Sequence, residues 1–244
     1  MRKSILAIAV VLLGACSPQK TAQEIIDESL KKSGIEQLKS AELSFEFRGN
    51  QFKAIRKNGA FNLQRTSQNS GNTILDRLSN EGFVRTVNDS LVTLTEKKSN
   101  SLANEVNSVH YFSVLPLGLN DAAVHKKLLG EEEIKGTSYY KVAVSFSEEG
   151  GGDDFDDQFL YWFDTESYQL KYLAYAYHTN GGGMRFRAVK SVTDTEGIQL
   201  ANYDNYKPMN KEQRFEMLAE SFEAGALEKV SEIILERIEI RRLP

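Results

Sequence analysis

The sequence predicts a mainly β protein with a few helices (α+β), a curved antiparallel sheet or open β-barrel of about eleven or twelve strands with covering helices. Three observations carry this. Strict period-two alternation sets in at Ala41, turn-forming residues recur at short intervals between apolar runs, and helical periodicity is confined to a few short stretches.

In chain order, Arg2 and Lys3 give a positive start, and Ile5 to Ala15 form an apolar run ending in Leu13-Gly14-Ala15-Cys16. The run is shorter than the roughly 20 residues that span a bilayer and fits a secretory h-region. Residues 1–15 are therefore expected to be a lipoprotein signal peptide, with diacylglycerol on the Cys16 thiol and an acyl group such as palmitate on the new amine. Two or more chains would anchor stably, at about 0.8 kcal/mol per buried CH₂. Cys16 is the only cysteine, so no internal disulfide is available and a core must supply stability. Loss of Arg2 and Lys3 takes the formal charge from −4 to about −6, which argues against nucleic acid as a partner. Ser17 stands where aspartate would signal inner-membrane retention in many Gram-negative bacteria. The expected location is the outer membrane, facing the periplasm.

Residues 16–20 read as a lipidated tether and 21–244 as one β-rich domain. Ala22, Ile25, Ile26, Ser29 and Leu30 recur at helical spacing up to Ser33-Gly34. Ala41, Leu43, Phe45 and Phe47 then alternate with polar residues, and Gly49-Asn50 turns the chain into Phe52 to Arg56. Strands are expected at 61–66, 73–79, 83–87 and 91–96, broken by turn chemistry such as Asn58-Gly59 and Asn88-Asp89-Ser90. Between Ser99 and Glu133 the pattern is mixed. Tyr111, Phe112, Val114 and Leu115 lead into Pro116, a short helix is expected over 121–129, and the segment is apolar enough to cover a sheet. Further strands are expected from Tyr139, over 159–163, 168–178, 184–192 and 198–206, then a helix over 213–222 and a last strand over 233–241.

No zinc-protease, nucleophile-elbow, phosphate-loop or dinucleotide motif is present, and neither a cofactor nor a metal is expected. The acidic run Asp153-Asp154-Phe155-Asp156-Asp157 lacks the ligand order of a calcium loop and reads as solvated. The glycines at 181–183 precede a strand on which Arg185 and Arg187 share a face, which suits a hairpin turn better than an anion cradle. A meander would bring alternate connections to one end of the sheet and gather Asp153, Asp154, His178, Arg185 and Arg187 at a rim. A structural ion-pair network is the simpler reading of that cluster. The catalytic alternative, a hydrolase or lyase, would use His178 or His110 as base, the aspartates as orienters and Arg185 for an anionic substrate.

Aromatic density is the third signal. Phe159 to Phe163 and Tyr168 to Tyr177 are apolar on both faces, so one face must be covered and the other either completes a core or lines a cavity. The candidate ligand-binding residues are Tyr111, Phe112, Tyr161, Trp162, Tyr172, Tyr175, Phe186, Arg185 and Arg187.

The stretches Asn107 to Phe112, Leu115 to Asp121, Gly151-Gly152-Asp153, Tyr161-Trp162, Tyr172 to Tyr175 and His178 to Arg187 resemble a lipoprotein family of unknown function from flavobacteria and other Bacteroidota. In architecture the chain also resembles the Lol-type periplasmic lipoprotein carriers and receptors. That resemblance implies an open β-barrel whose aromatic concave face, capped by helices, holds acyl chains. The expected function is a membrane-anchored, non-enzymatic protein that binds a lipid or other apolar ligand. The alternative partner is an envelope protein docked on its surface.

Overall fold

The computed structural model describes residues 20–149, 156–178, 181–210 and 212–243. The leader, Cys16, Asp153 and Asp154 lie outside them.

Helix α1 (Ala22–Ser33) starts with a capping box in which the Thr21 hydroxyl accepts from the Glu24 N–H and Glu24 reaches back to the Thr21 backbone. It ends at Gly34, whose φ of 66° suits a residue without Cβ. A Cβ there would also stand 2.1 Å from the Gly197 carbonyl oxygen. Gly34→Ala is therefore expected to cost about 2–4 kcal/mol, combining left-handed strain with overpacking. Urea unfolding at constant m-value checks this.

A 3₁₀ turn (Ile35–Ser40) leads into a meander of β1 (Ala41–Phe47), β2 (Asn50–Lys57), β3 (Ala60–Asn69), β4 (Asn72–Ser79), β5 (Gly82–Val87) and β6 (Ser90–Leu91). Inward Ala41, Leu43 and Phe45 are buried while their neighbours are half-exposed, as their alternation requires. The strand expected over 91–96 barely exists. Its place is taken by α2 (Glu96–Ser113), capped by the Thr95 hydroxyl and burying Leu102, Val106, His110 and Ser113 at three- and four-residue spacing.

The helix expected over 121–129 is instead the start of β7 (Val124–Ile134). Lys126-Lys127-Leu128-Leu129 favours a helix locally, but pairing with β8 (Thr137–Phe146) overrides that propensity. There follow β9 (Gln158–Asp164), β10 (Leu170–Tyr177), β11 (Gly183–Thr195) and β12 (Ile198–Pro208). The helix expected over 213–222 is a 3₁₀ turn (Phe215–Met217) continued by α3 (Leu218–Glu223). Two strands close the chain, β13 (Leu227–Ile233) and β14 (Glu236–Arg242), where one was expected.

Among the described residues, fourteen strands form two antiparallel sheets of seven, ordered β14-β1-β2-β3-β4-β5-β6 and β13-β12-β11-β10-β9-β8-β7. The mainly β, unclosed architecture agrees with the expected fold class. The last two strands join the sheets, each forming an edge of one, and Asn202 Oδ1 accepts from the Leu235 N–H at the joint (2.8 Å). The largest core runs between the sheets. It gathers Ile25, Ile26 and Leu30 of α1, Leu43, Phe45 and Phe52 of the first sheet, and Val142, Tyr161, Phe163 and Leu173 of the second. A second core lies under α3, and a third joins α2 to β2 and β3 through Val106, Ala54 and Leu63.

Candidate ligand-binding site

Strand pairing sorts the aromatic residues onto two faces. Tyr175 stands opposite Phe159 and Arg185, and Leu173 opposite Tyr161 and Arg187, so these six share the face that looks into the space between the sheets. Trp162, Tyr172 and Phe186 point the other way. They pack under α3, with the Phe222 ring 4.9 Å from Phe186 and 5.7 Å from Tyr172. The Trp162 indole N–H donates to Glu132 Oε2 (2.5 Å), which Lys141 also contacts. That face is a filled core, and the expected ligand set is divided between it and the interior.

On the interior face, α2 supplies the counterpart. Its Val106 and His110 turn toward the first sheet, while Tyr111 and Phe112 turn toward the second. The Tyr111 and Tyr161 hydroxyls share a hydrogen bond of 2.8 Å, and burial pushes both phenols well above the usual tyrosine range. Phe112 lies 4.9 Å from Tyr175 on one side and takes the Arg187 guanidinium at 3.9 Å on the other. Arg187 is only 7% exposed and donates from Nη2 to the Tyr175 hydroxyl (2.9 Å). No carboxylate joins it within ion-pair distance among the described residues, and aromatic faces take that role. Arg185, nearer the rim, stacks on Tyr177 and donates to the Met184 carbonyl.

The helix leaves an open cleft along each flank. The first, about 520 Å³, is lined by Tyr111, Phe112, Phe159, Tyr175, Tyr177 and Arg185. The second, about 570 Å³, lies against the first sheet and is lined by Arg56, Phe61, Leu63, Val114 and Leu117. Tyr111 and Asn107 border both. Both volumes fall in the range of small-molecule sites.

Of the residues expected to gather at a rim, Asp153 and Asp154 lie outside the described residues, and His178 has Asp156 and Asp157 beside it. The β8–β9 and β10–β11 connections lie at one end of the second sheet, and His178 Nδ1 is 3.4 Å from Asp156 and 3.8 Å from Asp157. These three offer atoms within 4.8 Å of one another, the one group among the described residues that could hold a cation. His178 and Asp156 are well exposed, so their pairing is weakly held. His110 lies elsewhere. It packs edge-on to Phe45 and Phe52 with its Nε2–H donated to the Gln64 carbonyl (3.0 Å), and so does not join His178. The sequence reading did not single out Phe146, Tyr177, Arg56 or α2 itself. The spacing of Leu102, Val106 and His110 after the cap at Thr95 was the available signal for the helix.

A family model described as a family of unknown function, DUF6503, matches residues 2–234. The chain belongs to the DUF6503 family. In fold, this DUF6503 member is similar to a LolA superfamily protein from Nitrosomonas europaea, with TM-score 0.54 and 12% identity over 93% of this chain and 96% of that one. A DUF1329 family protein from Desulfovibrio piger aligns at TM-score 0.46 and 12% identity, covering 91% of this chain and 92% of that one. No curated protein matches the chain. At 12% identity the likeness to the LolA superfamily protein is one of fold alone. No helix of the described residues is long and apolar enough to cross a membrane.

Proposed function

We propose that this DUF6503 protein is a lipid-anchored, non-enzymatic envelope protein that holds an acyl chain or similar apolar ligand between α2 and the second sheet. The observation that carries the reading is the first cleft. Aromatic side chains from four separate elements, α2, β8, β9 and β10, converge on one open volume rather than filling it, and Arg185, Asp157 and polar residues of α2 complete its wall. Aromatic walls suit an extended apolar chain because they offer large contact area with few rotatable bonds. In this reading Cys16 carries the anchor and holds the cleft near the outer membrane, facing the periplasm. The candidate ligand residues of the interior face are then Tyr111, Phe112, Tyr161, Tyr175, Arg185 and Arg187. Trp162, Tyr172 and Phe186 support the sheet from behind.

Titration with dansyl-undecanoic acid tests this. Saturable binding is expected, with Phe112→Ala and Tyr175→Ala each weakening it about tenfold through lost apolar contact. Leu91→Ser, at an exposed position on the far edge of the first sheet, should leave it unchanged. Absence of saturable binding, or equal affinity in all three variants, removes the proposal.

A further inference from the structure

The second cleft holds a charge that the fold does not use. Arg56, at the inward end of β2, has its Nη1 fully enclosed without a hydrogen-bond partner among the described residues. Burial pulls its pKa down to about 10, and no carboxylate stands close enough to offset that loss. Two other charged residues line the cleft. Lys39 is an exposed side chain that meets Glu36 at 2.7 Å, and Asp121 does not offset the charge of Arg56. The remaining walls, Phe61, Leu63, Tyr111, Val114 and Leu117, are mostly apolar. A guanidinium with an enclosed, unpartnered nitrogen at the side of a mostly apolar channel is a cost to the protein that carries it. A partner from outside would remove that cost, and the surroundings specify its chemistry as one compact negative charge joined to an apolar body.

We propose that the second cleft binds a single-chain anionic amphiphile, with Arg56 holding its monoanionic head and Phe61, Leu63, Val114 and Leu117 receiving its chain. This rests on the reading of the protein as a holder of apolar chains and adds to it a selectivity for the head group. Guanidinium matches a carboxylate or a phosphodiester in planar, charge-assisted hydrogen bonds. One enclosed cation, with the second, Lys39, exposed to solvent, favours a monoanion over a dianion. Tyr111 and Asn107 border both clefts.

Calorimetric titration with laurate, dodecanol and lysophosphatidylglycerol decides the matter. Laurate is expected to bind at least about tenfold more tightly than dodecanol, the scale of one charge-assisted hydrogen bond. Arg56→Gln should abolish that preference while dodecanol binds as before, and its melting temperature should rise because an unpaired buried charge is gone. A larger preference for lysophosphatidylglycerol, equally lost in Arg56→Gln, supports the same site and assigns the anion to a lipid headgroup. Equal affinities for laurate, lysophosphatidylglycerol and dodecanol in the unsubstituted protein, or a preference that survives Arg56→Gln, overturn the role of Arg56 and leave the apolar-chain reading intact. Failure of all three to bind overturns both.

Discussion

Asp76→Asn is expected to remove about 3–5 kcal/mol of stability, the cost of breaking a buried ion cluster from one side. Asp76 is buried on β4, and its carboxylate accepts from Arg65 Nη2 at 2.6 Å and from Arg85 Nε at 2.6 Å. The three stand directly opposite one another across β3, β4 and β5, and Arg65 extends the cluster to Glu105 of α2 at 3.0 Å. Burial alone would push the Asp76 carboxyl up, but hydrogen bonds from Arg85 and Arg65 outweigh it and hold the group below its ordinary value. The stabilisation is therefore present above the unfolded pKa of about 3.9 and is lost as pH falls through the lower folded value. An amide at this position leaves two guanidiniums facing each other without the anion between them. Urea unfolding near pH 7 reads the loss. Replacing all three residues together with Leu and Met should cost far less, since neither cation is then left buried.

The second large effect is an acid instability set by His110. Its ring is fully buried against Phe45 and Phe52, and burial pulls its pKa down to about 4 despite the hydrogen bond to Gln64, with Arg56 adding to the fall. The Nε2–H is committed to a carbonyl, so a second proton would sit on the enclosed Nδ1, which has no partner among the described residues. The unfolded chain takes up that proton near pH 6.5 and the folded chain only near pH 4. Stability is complete above about pH 6.5 and declines as pH falls toward 4, by about 3 kcal/mol. His110→Gln should flatten the stability profile over that interval. A slope unchanged by the substitution would show that the titrating group is another one.

Sequence patterns were most informative where one face of an element is buried and the other wet. The alternation from Ala41 to Phe47 and the capped periodicity of α1 have this property, and both elements lie where the pattern puts them. The two strands that the pattern failed to give, β7 and β13, are the two edges of the second sheet. Both are rich in Lys and Glu, which suits an edge that must discourage further pairing but reads locally as helix or loop. Helix α2 was obscured for a different reason. Its apolar stripe is narrow because Tyr111 and Phe112 face the opposite sheet, so two short buried faces replace one long one. The aromatic candidates were legible as residues and not as a set. Consecutive strand residues point to opposite faces, so Tyr161 and Trp162 were bound to separate, but only the pairing shows which of them meets α2. Arg56 carried no signal, because its significance lies in the partner it lacks.

The joint between the sheets bears on the order of events during folding. Strand β1 is hydrogen-bonded on one side to its immediate neighbour β2 and on the other to β14, with Ala41 opposite Arg242. The hairpins can assemble as they are made, at the microsecond pace of local pairing. The β1–β14 ladder cannot form until β14 has been made, and it pairs residues as far apart as Ala41 and Arg242, the kind of contact that slows folding most. Until β14 arrives, β1 presents an unpaired edge beside the apolar side chains of the interior.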